Sequence, residues 1–429
     1  MTKRNENRPG YKETQIGWFP EDWDIKLLGQ IARIKSSNVD KKSYPDELKV
    51  FLCNYMDVFH NEYITSSLNF MVSTAKVEEI ANYRLKKNDI VITKDSETRE
   101  DIANTSVVIE NIENLICGYH LSVIRPDPKI TDSIYLAKLL THGNFHKYFV
   151  TRANGVTRFG LTLKTLNDAI VLVPPLSEQR KIAEILRTWD KAIELVGRKI
   201  DAKRRLKKGL MQKLLFGNMR FAGYGNPALG DKLPEGWKQF KIGEVLKRER
   251  DPVRVNPRQE YQEIGIRSHG KGIFHKEKTT GAAIGNKSVF WVKPDCFIVN
   301  IVFAWEQAIS KTTKTELGMI ASHRFPMYKP KDSLLDLDYL LYFFQSSYGK
   351  HLLGLASPGG AGRNKTLGQE TFRNLSIKLP PIEEQRKIGR VISTCDKEIE
   401  ILEKKKYFMR QQKQGLMQKL LTGEVRVNA

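Results

Sequence analysis

Four cysteines in 429 residues, Cys53, Cys117, Cys296 and Cys395, stand far apart and form no Cys-x-x-Cys pair. That spacing argues against a zinc site and against a disulfide framework, and it fits reduced thiols in a cytoplasmic protein. No apolar run is long enough to span a bilayer and no secretory leader is evident, so a soluble protein with no membrane partner is expected. Acidic residues are also in deficit: 49 Asp and Glu face 71 Lys and Arg, a formal charge of +22. An excess of that size points to a polyanion, and nucleic acid is the first choice.

Catalytic constellations are missing as well. Gly265, Gly270 and Lys271 follow the start of a phosphate-binding loop, but Gly272 stands where Ser or Thr would hold magnesium. No glycine-rich turn follows a strand in the manner of a dinucleotide or adenosylmethionine site. Neither Pro-Pro pair is preceded by Asn or Asp, so the amino-methyltransferase signature is absent. Asp46 and Glu47 are adjacent and lack a spaced acidic partner, so they read as a solvated turn rather than a nuclease site. His120 and His323 flank apolar runs and read as scaffold residues.

What the chain does have is a repeat. Pro174–Gly217 begins PPLSEQRKIAEIL and ends GLMQKLLFG; Pro380–Gly423 begins PPIEEQRKIGRVI and ends GLMQKLLTG, at a constant offset of 206. About half of the aligned positions are identical. Each copy enters a helix through a diproline, which suits a helix start but not its interior. Ile182, Leu186, Trp189, Ile193, Val196 and Ile200, and in the second copy Ile388, Ile392, Cys395, Ile399 and Leu402, recur at coiled-coil spacing. After Gly209 and Gly415 a second short helix is expected, closed by Gly217 and Gly423 in the capping position.

The halves echo each other elsewhere. Pro20–Trp23 with Gly29 answers Pro234–Trp237 with Gly243, and Asn88–Thr93 answers Pro294–Val299. Short strands are expected at 48–52, 90–93, 297–302 and 375–379, and helices near 134–149 and 337–352. The order is a variable domain (1–173), a helical repeat (174–217), a linker and second variable domain (218–379), and a second helical repeat with a tail (380–429). Residues 217–232 read as the connector. The expected class is α+β: two mixed domains and two long helices.

Two cationic, glycine-containing loops lie at matching places upstream of the diprolines. One carries Arg152, Asn154, Thr157 and Arg158; the other carries Arg363, Asn364 and Lys365. Glycine permits close backbone approach to a duplex, Arg can fork onto guanine, and Asn onto adenine. Lys94 and Arg99, and Arg267, Ser268, His269 and Lys271, are further DNA-binding candidates. Any one of them could equally hold a phosphate without reading sequence.

Pro-Pro-[Leu/Ile]-x-Glu-Gln-x-x-Ile followed by a long helix, written twice downstream of variable domains, resembles the specificity subunit of type I restriction–modification systems. The match rests on 174–182 with 209–215 and on 380–388 with 415–421, and it covers essentially the whole chain. The resemblance implies two target-recognition domains, each reading half of a split, asymmetric double-stranded DNA site. It implies antiparallel helices acting as a spacer in a pseudo-twofold, circular arrangement. It also implies two methylation subunits and two restriction and translocation subunits as partners. Adenosylmethionine, ATP and Mg would be used in those partners, with no cofactor and no catalysis in this chain. Exposed polar residues at the helix starts, Glu178, Gln179, Arg180 and Lys181 with Glu384, Gln385, Arg386 and Lys387, are expected to contact the methylation subunits, or else to cap the helices. The alternatives are a stand-alone DNA-modifying enzyme, methyltransferase or nuclease, and a coiled-coil RNA-binding assembly protein.

Overall fold

The structure, a computed structural model, describes residues 5–227, 232–331, 333–359 and 365–427. The chain forms two compact units, Met1–Val196 with Lys405–Ala429, and Gly197–Lys404. Both are mixed α+β, and each contains a stretch of each long helix.

In the first unit a five-stranded sheet runs in the order Ala32–Ser36, Leu121–Pro126, Ile90–Thr93, Thr105–Val108 and Tyr63–Ile64. A three-stranded sheet sets Leu48–Cys53 between Leu115–Cys117, parallel to it, and Met71–Ala75, antiparallel. The second unit repeats this frame: Leu246–Glu249, Met327–Pro330, Phe297–Val299 and Ile309–Lys311 form one sheet. Ile273–Thr280, Glu260–Ile266, Ile320–Ser322 and Val289–Trp291 form the other. Sequences that share few residues therefore share the order of four strands in one sheet and three in the other, and the apolar runs Ile90–Thr93 and Phe297–Val299 are fully buried in both.

The strand before each diproline pairs with an early strand of its own domain: Ile170–Val173 with Asp24–Leu27, and Ser376–Leu379 with Lys238–Lys241. That pairing fixes where each long helix begins. The stretches expected as single helices are each split. Ser133–Leu140, capped by Asp132, is followed by Gly143–Arg152, and Gly143 takes φ +50°. Leu337–Gln345, capped by Asp336, gives way to Ser347–Leu355, where Ser346 Oγ accepts from Gly349 N at 3.0 Å.

The long helices are Leu176–Leu214 and Ile382–Leu420, 39 residues each, or about 58 Å. The break expected at Gly209 and Gly415 does not occur. A helical glycine costs about 1 kcal/mol, and in the second unit Leu210, Met211, Leu214 and Leu215 pack into the core. That burial outweighs the local penalty. The terminal glycines do cap: Gly217 and Gly423 have φ +69° and +68° and donate to Leu214 O and Leu420 O.

The front of each seam is domain core. Ile182 and Leu186 pack with Leu420 and Leu421 in the first unit, and Ile388 and Ile392 pack with Leu214 and Leu215 in the second. Within each unit the two helical stretches run antiparallel, marked by Asp190 with Lys413 and by Asp396 with Lys207. The expected connector is also packed: Met219 and Phe221 lie against the second core, and Arg220 binds Glu384. Of that connector, 228–231 lies outside the described residues.

Candidate nucleic-acid interface

In the first unit two candidate segments remote in sequence become neighbours. Phe159–Gly160 pairs with Asp95–Ser96, and Leu161 N donates to Lys94 O at 2.8 Å. Asn154 and Gly160 exchange both main-chain hydrogen bonds, at 3.0 and 2.8 Å, so residues 155–159 form a closed loop. Gly155 is required there: its φ is +132°, and a Cβ would stand 1.8 Å from Arg158 O. The loop leaves Asn154, Thr157 and Arg158 exposed, with Val156 at its tip.

Aromatic rings set the direction of the cations. The Arg99 guanidinium lies 4.9 Å from the Phe159 ring centre, and Arg152 lies 4.0 Å from that of Tyr148. Such stacking holds a guanidinium flat while leaving its edge N–H groups free. Lys94 is half-buried beneath this edge, where its main-chain N–H donates to His120 O. His120 itself bonds Asp95 Oδ2 at 3.1 Å through Nδ1, so it braces the strand that carries Lys94.

In the second unit Arg267–Gly272 is the connection of the hairpin formed by Glu260–Ile266 and Ile273–Thr280. Ser268 fastens it through its side chain and His269 through its main chain, and the His269 side chain is exposed. Ser268 Oγ donates to Glu306 Oε2 at 2.9 Å, and His269 N donates to Glu306 O at 2.7 Å. Arg267 lies over Phe274 at 4.7 Å, and Lys271 is exposed. Lys365 lies 5.4 Å from the Trp305 ring centre, one residue from the Glu306 that anchors the hairpin. The hairpin and Lys365 thus share one edge. Arg363 and Asn364 lie outside the described residues.

The platforms Tyr148, Phe159, Phe274 and Trp305 were not among the sequence candidates. Only Tyr148 carried a local signal, an aromatic four residues before Arg152 on one helix face.

At the helix starts the expectation of exposure is corrected for four of eight residues. Glu178, Gln179, Glu384 and Gln385 are all buried. Gln179 Oε1 accepts from Thr131 Oγ1 and Asp132 N, and its Nε2 donates to Ile130 O and Pro174 O. Gln385 repeats this, accepting from Asp336 N and donating to Leu334 O and Pro380 O. Glu178 accepts from Trp23 Nε1 at 3.0 Å and from Arg426, which also grips Asp22. Glu384 takes a two-pronged contact from Arg220 at 3.0 and 2.7 Å. The hydrogen bonds that Arg426 donates to Glu178 and Asp22 raise its pKa, and those that Arg220 donates to Glu384 raise the Arg220 pKa. A side chain with every polar atom used inside its own unit has none left for a partner.

Arg180, Lys181, Arg386 and Lys387 are exposed. Gln179→Ala strands two carbonyls, the buried Thr131 hydroxyl and the half-buried Asp132 N–H, and a loss of about 3 kcal/mol is expected; Arg180→Ala should stay within about 0.5 kcal/mol. Denaturant unfolding of the two variants checks this, and equal stability would overturn the internal role of Gln179.

Among the described residues no group of three His, Cys, Asp or Glu is placed to hold a metal ion, and no helix is long and apolar enough to cross a membrane. The geometry defines a class: a duplicated α+β frame whose two copies present different cationic loops on aromatic platforms, each seated on a long helix.

The chain belongs to the family of the type I restriction modification DNA specificity domain, whose family model matches twice, at residues 20–203 and 234–407. It is similar to the putative type I restriction enzyme MjaX specificity subunit of Methanocaldococcus jannaschii, at 25% identity over 425 residues and 97% of each chain. It is also similar to the MjaVIII specificity subunit of that organism, at 22% identity over 446 residues, covering 97% of this chain and 96% of the other. The fold matches the crystal structure of the type I restriction–modification S subunit from M. genitalium with a TM-score of 0.54 at 14% identity, over 93% and 96% of the two chains. A chain solved in work on complex assembly and conformational transition of the type I R-M system gives 0.55 at 17%, over 95% and 99%.

Proposed function

We propose that this chain is the specificity subunit of a type I restriction–modification complex. It reads double-stranded DNA and performs no chemistry itself. The observation that carries the reading is the family match falling once on each half, over two copies of one frame whose presented loops differ. Arg152–Arg158 with Lys94 and Arg99 form one reading edge, and Arg267–Lys271 with Lys365 form the other. Different loops read different half-sites, so the target is bipartite and asymmetric. Base edges are read by forked Arg and Asn contacts, and the remaining cations hold phosphates.

The exposed Arg180, Lys181, Arg386 and Lys387 would meet two methylation subunits, and two restriction and translocation subunits would complete the complex in the cytoplasm. Adenosylmethionine, ATP and Mg are used in those partners. The alternatives of a stand-alone modifying enzyme or an RNA-binding assembly protein find no support in the family match. The test is co-expression with the neighbouring methylation subunit, followed by mapping of N6-methyladenine on genomic DNA. Methylation at a split asymmetric sequence, dependent on both chains, is expected. Methylation by this chain alone would refute the division of labour.

A further inference from the structure

The two units differ in kind at one strand pair. In the first, Ile34 lies opposite Ile124 and both are buried in the core. In the second, the corresponding strands place Arg248 opposite Tyr328. Tyr328 is 2% exposed, yet its hydroxyl has no hydrogen-bond partner among the described residues. Arg248 Nε and Gln369 Oε1 are likewise buried and unpartnered. All three residues line one cleft of about 300 Å³, with Lys331 and Arg373. Gly243 gives Arg373 its room, because a Cβ there would stand 3.2 Å from Arg373 Nε.

Buried polar groups are almost always paired, and leaving one dry costs more than a hydrogen bond gains. Three unpaired groups converging where the sister strand pair carries two isoleucines are disfavoured for folding alone. The charges point the same way. Burial and the neighbouring Arg250 lower the pKa of Arg248, so its cation is poorly accommodated until an anion joins it. Burial pushes the Tyr328 hydroxyl up to about 12 despite the pull of Arg248 and Arg373, which keeps it protonated as a donor. Glu370 also lines the cleft, but it is exposed and paired with Arg373 at 3.4 Å.

We propose that this cleft binds a phosphate-type oxyanion. Arg248 Nε, the Tyr328 hydroxyl and the Arg373 guanidinium donate to its oxygens, and Gln369 Oε1 accepts from its protonated oxygen. A backbone diester has no such proton, so free phosphate or a terminal monoester fits the donor and acceptor set better than a DNA backbone does. The cleft shares no lining residue with the DNA-reading edges, and the proposal does not rest on the proposed function.

The test is thermal unfolding of the full chain in potassium phosphate against potassium chloride at matched ionic strength. A phosphate-specific rise in Tm of about 5 °C is expected at roughly 100 times Kd. Tyr328→Phe, which preserves the ring, and Arg248→Met should each lose that rise, with far-UV circular dichroism confirming that both fold. A blunt duplex without terminal phosphates serves as the second arm. If it leaves the rise intact, the ligand is a free or terminal phosphate; if it removes the rise, the oxyanion is the DNA backbone's. No rise beyond chloride, or an equal rise in both variants, would overturn the proposal and leave a water-filled cleft.

Discussion

Replacing Asp190 with Asn is expected to lower Tm by on the order of 10 °C, whereas Asp396→Asn should lower it by no more than about 3 °C. The two aspartates occupy the same position of the repeat, at the offset of 206. Their surroundings differ. The Asp190 side chain is 10% exposed and accepts from Lys138 at 2.8 Å, from Tyr63 at 2.7 Å and from Lys413. Asp396 is 42% exposed and has Lys207 at 2.5 Å and Tyr342 at 2.9 Å. Removing the Asp190 charge leaves two buried lysines facing only the half-exposed Glu62, and an uncompensated buried charge costs about 3–5 kcal/mol. A half-exposed pair such as Lys207–Asp396 is worth about 1 kcal/mol at most.

Acid should act on the same group. Burial alone would raise the Asp190 pKa, but Lys138 and Lys413 together outweigh it and hold the carboxylate below its usual range. A depressed carboxylate contributes its full stability above its unfolded value of 3.8, and loses it as the pH falls below that toward the native value. Scanning calorimetry of the unsubstituted chain and both variants between pH 7 and pH 2 reads the effect. Equal falls in Tm for Asp190→Asn and Asp396→Asn would sink the account.

The second large effect is on DNA. Changing Lys94, Arg99, Arg152 and Arg158 together to Ala should weaken binding of the assembled complex to its target by about a hundredfold or more. The slope of log K against log salt should fall by about 3 to 4 if all four meet phosphates. A smaller change in slope, with relaxed preference at one half-site only, would identify the members that read bases. Anisotropy titrations over a range of KCl separate the two. An unchanged affinity would remove this edge from the interface.

Much of the frame was legible because it rests on short-range physics. The diprolines, the capping glycines and the buried runs act within a few residues, so the sequence displays them directly. Gly209 misled because a local propensity of about 1 kcal/mol was overruled by packing of the residues after it. Glu178 and Gln179 misled because charged and amide side chains are exposed by default. Their partners, Arg426 and the 130–132 main chain, lie 248 and about 48 residues away. The joining of Lys94–Arg99 to the 152–160 loop depends on a two-residue strand pair, too short to carry a pattern. The Arg248–Tyr328 pair was hidden for the same reason: cross-strand register is not written in either strand alone.

The glutamine clamp has a consequence for how such chains diversify. Apart from the Thr131 hydroxyl, every partner of Gln179 and Gln385 is a main-chain carbonyl or N–H. Every peptide unit offers those groups, whatever its side chain. The glutamine contacts at the joint are therefore indifferent to the side chains on the domain side, whereas Glu178 and Asp190 reach the side chains of Trp23, Tyr63 and Lys138. A recombination event that brings in an unrelated reading module keeps the glutamine contacts if the backbone path and the diproline are preserved, and has to bring its own partners for Glu178 and Asp190.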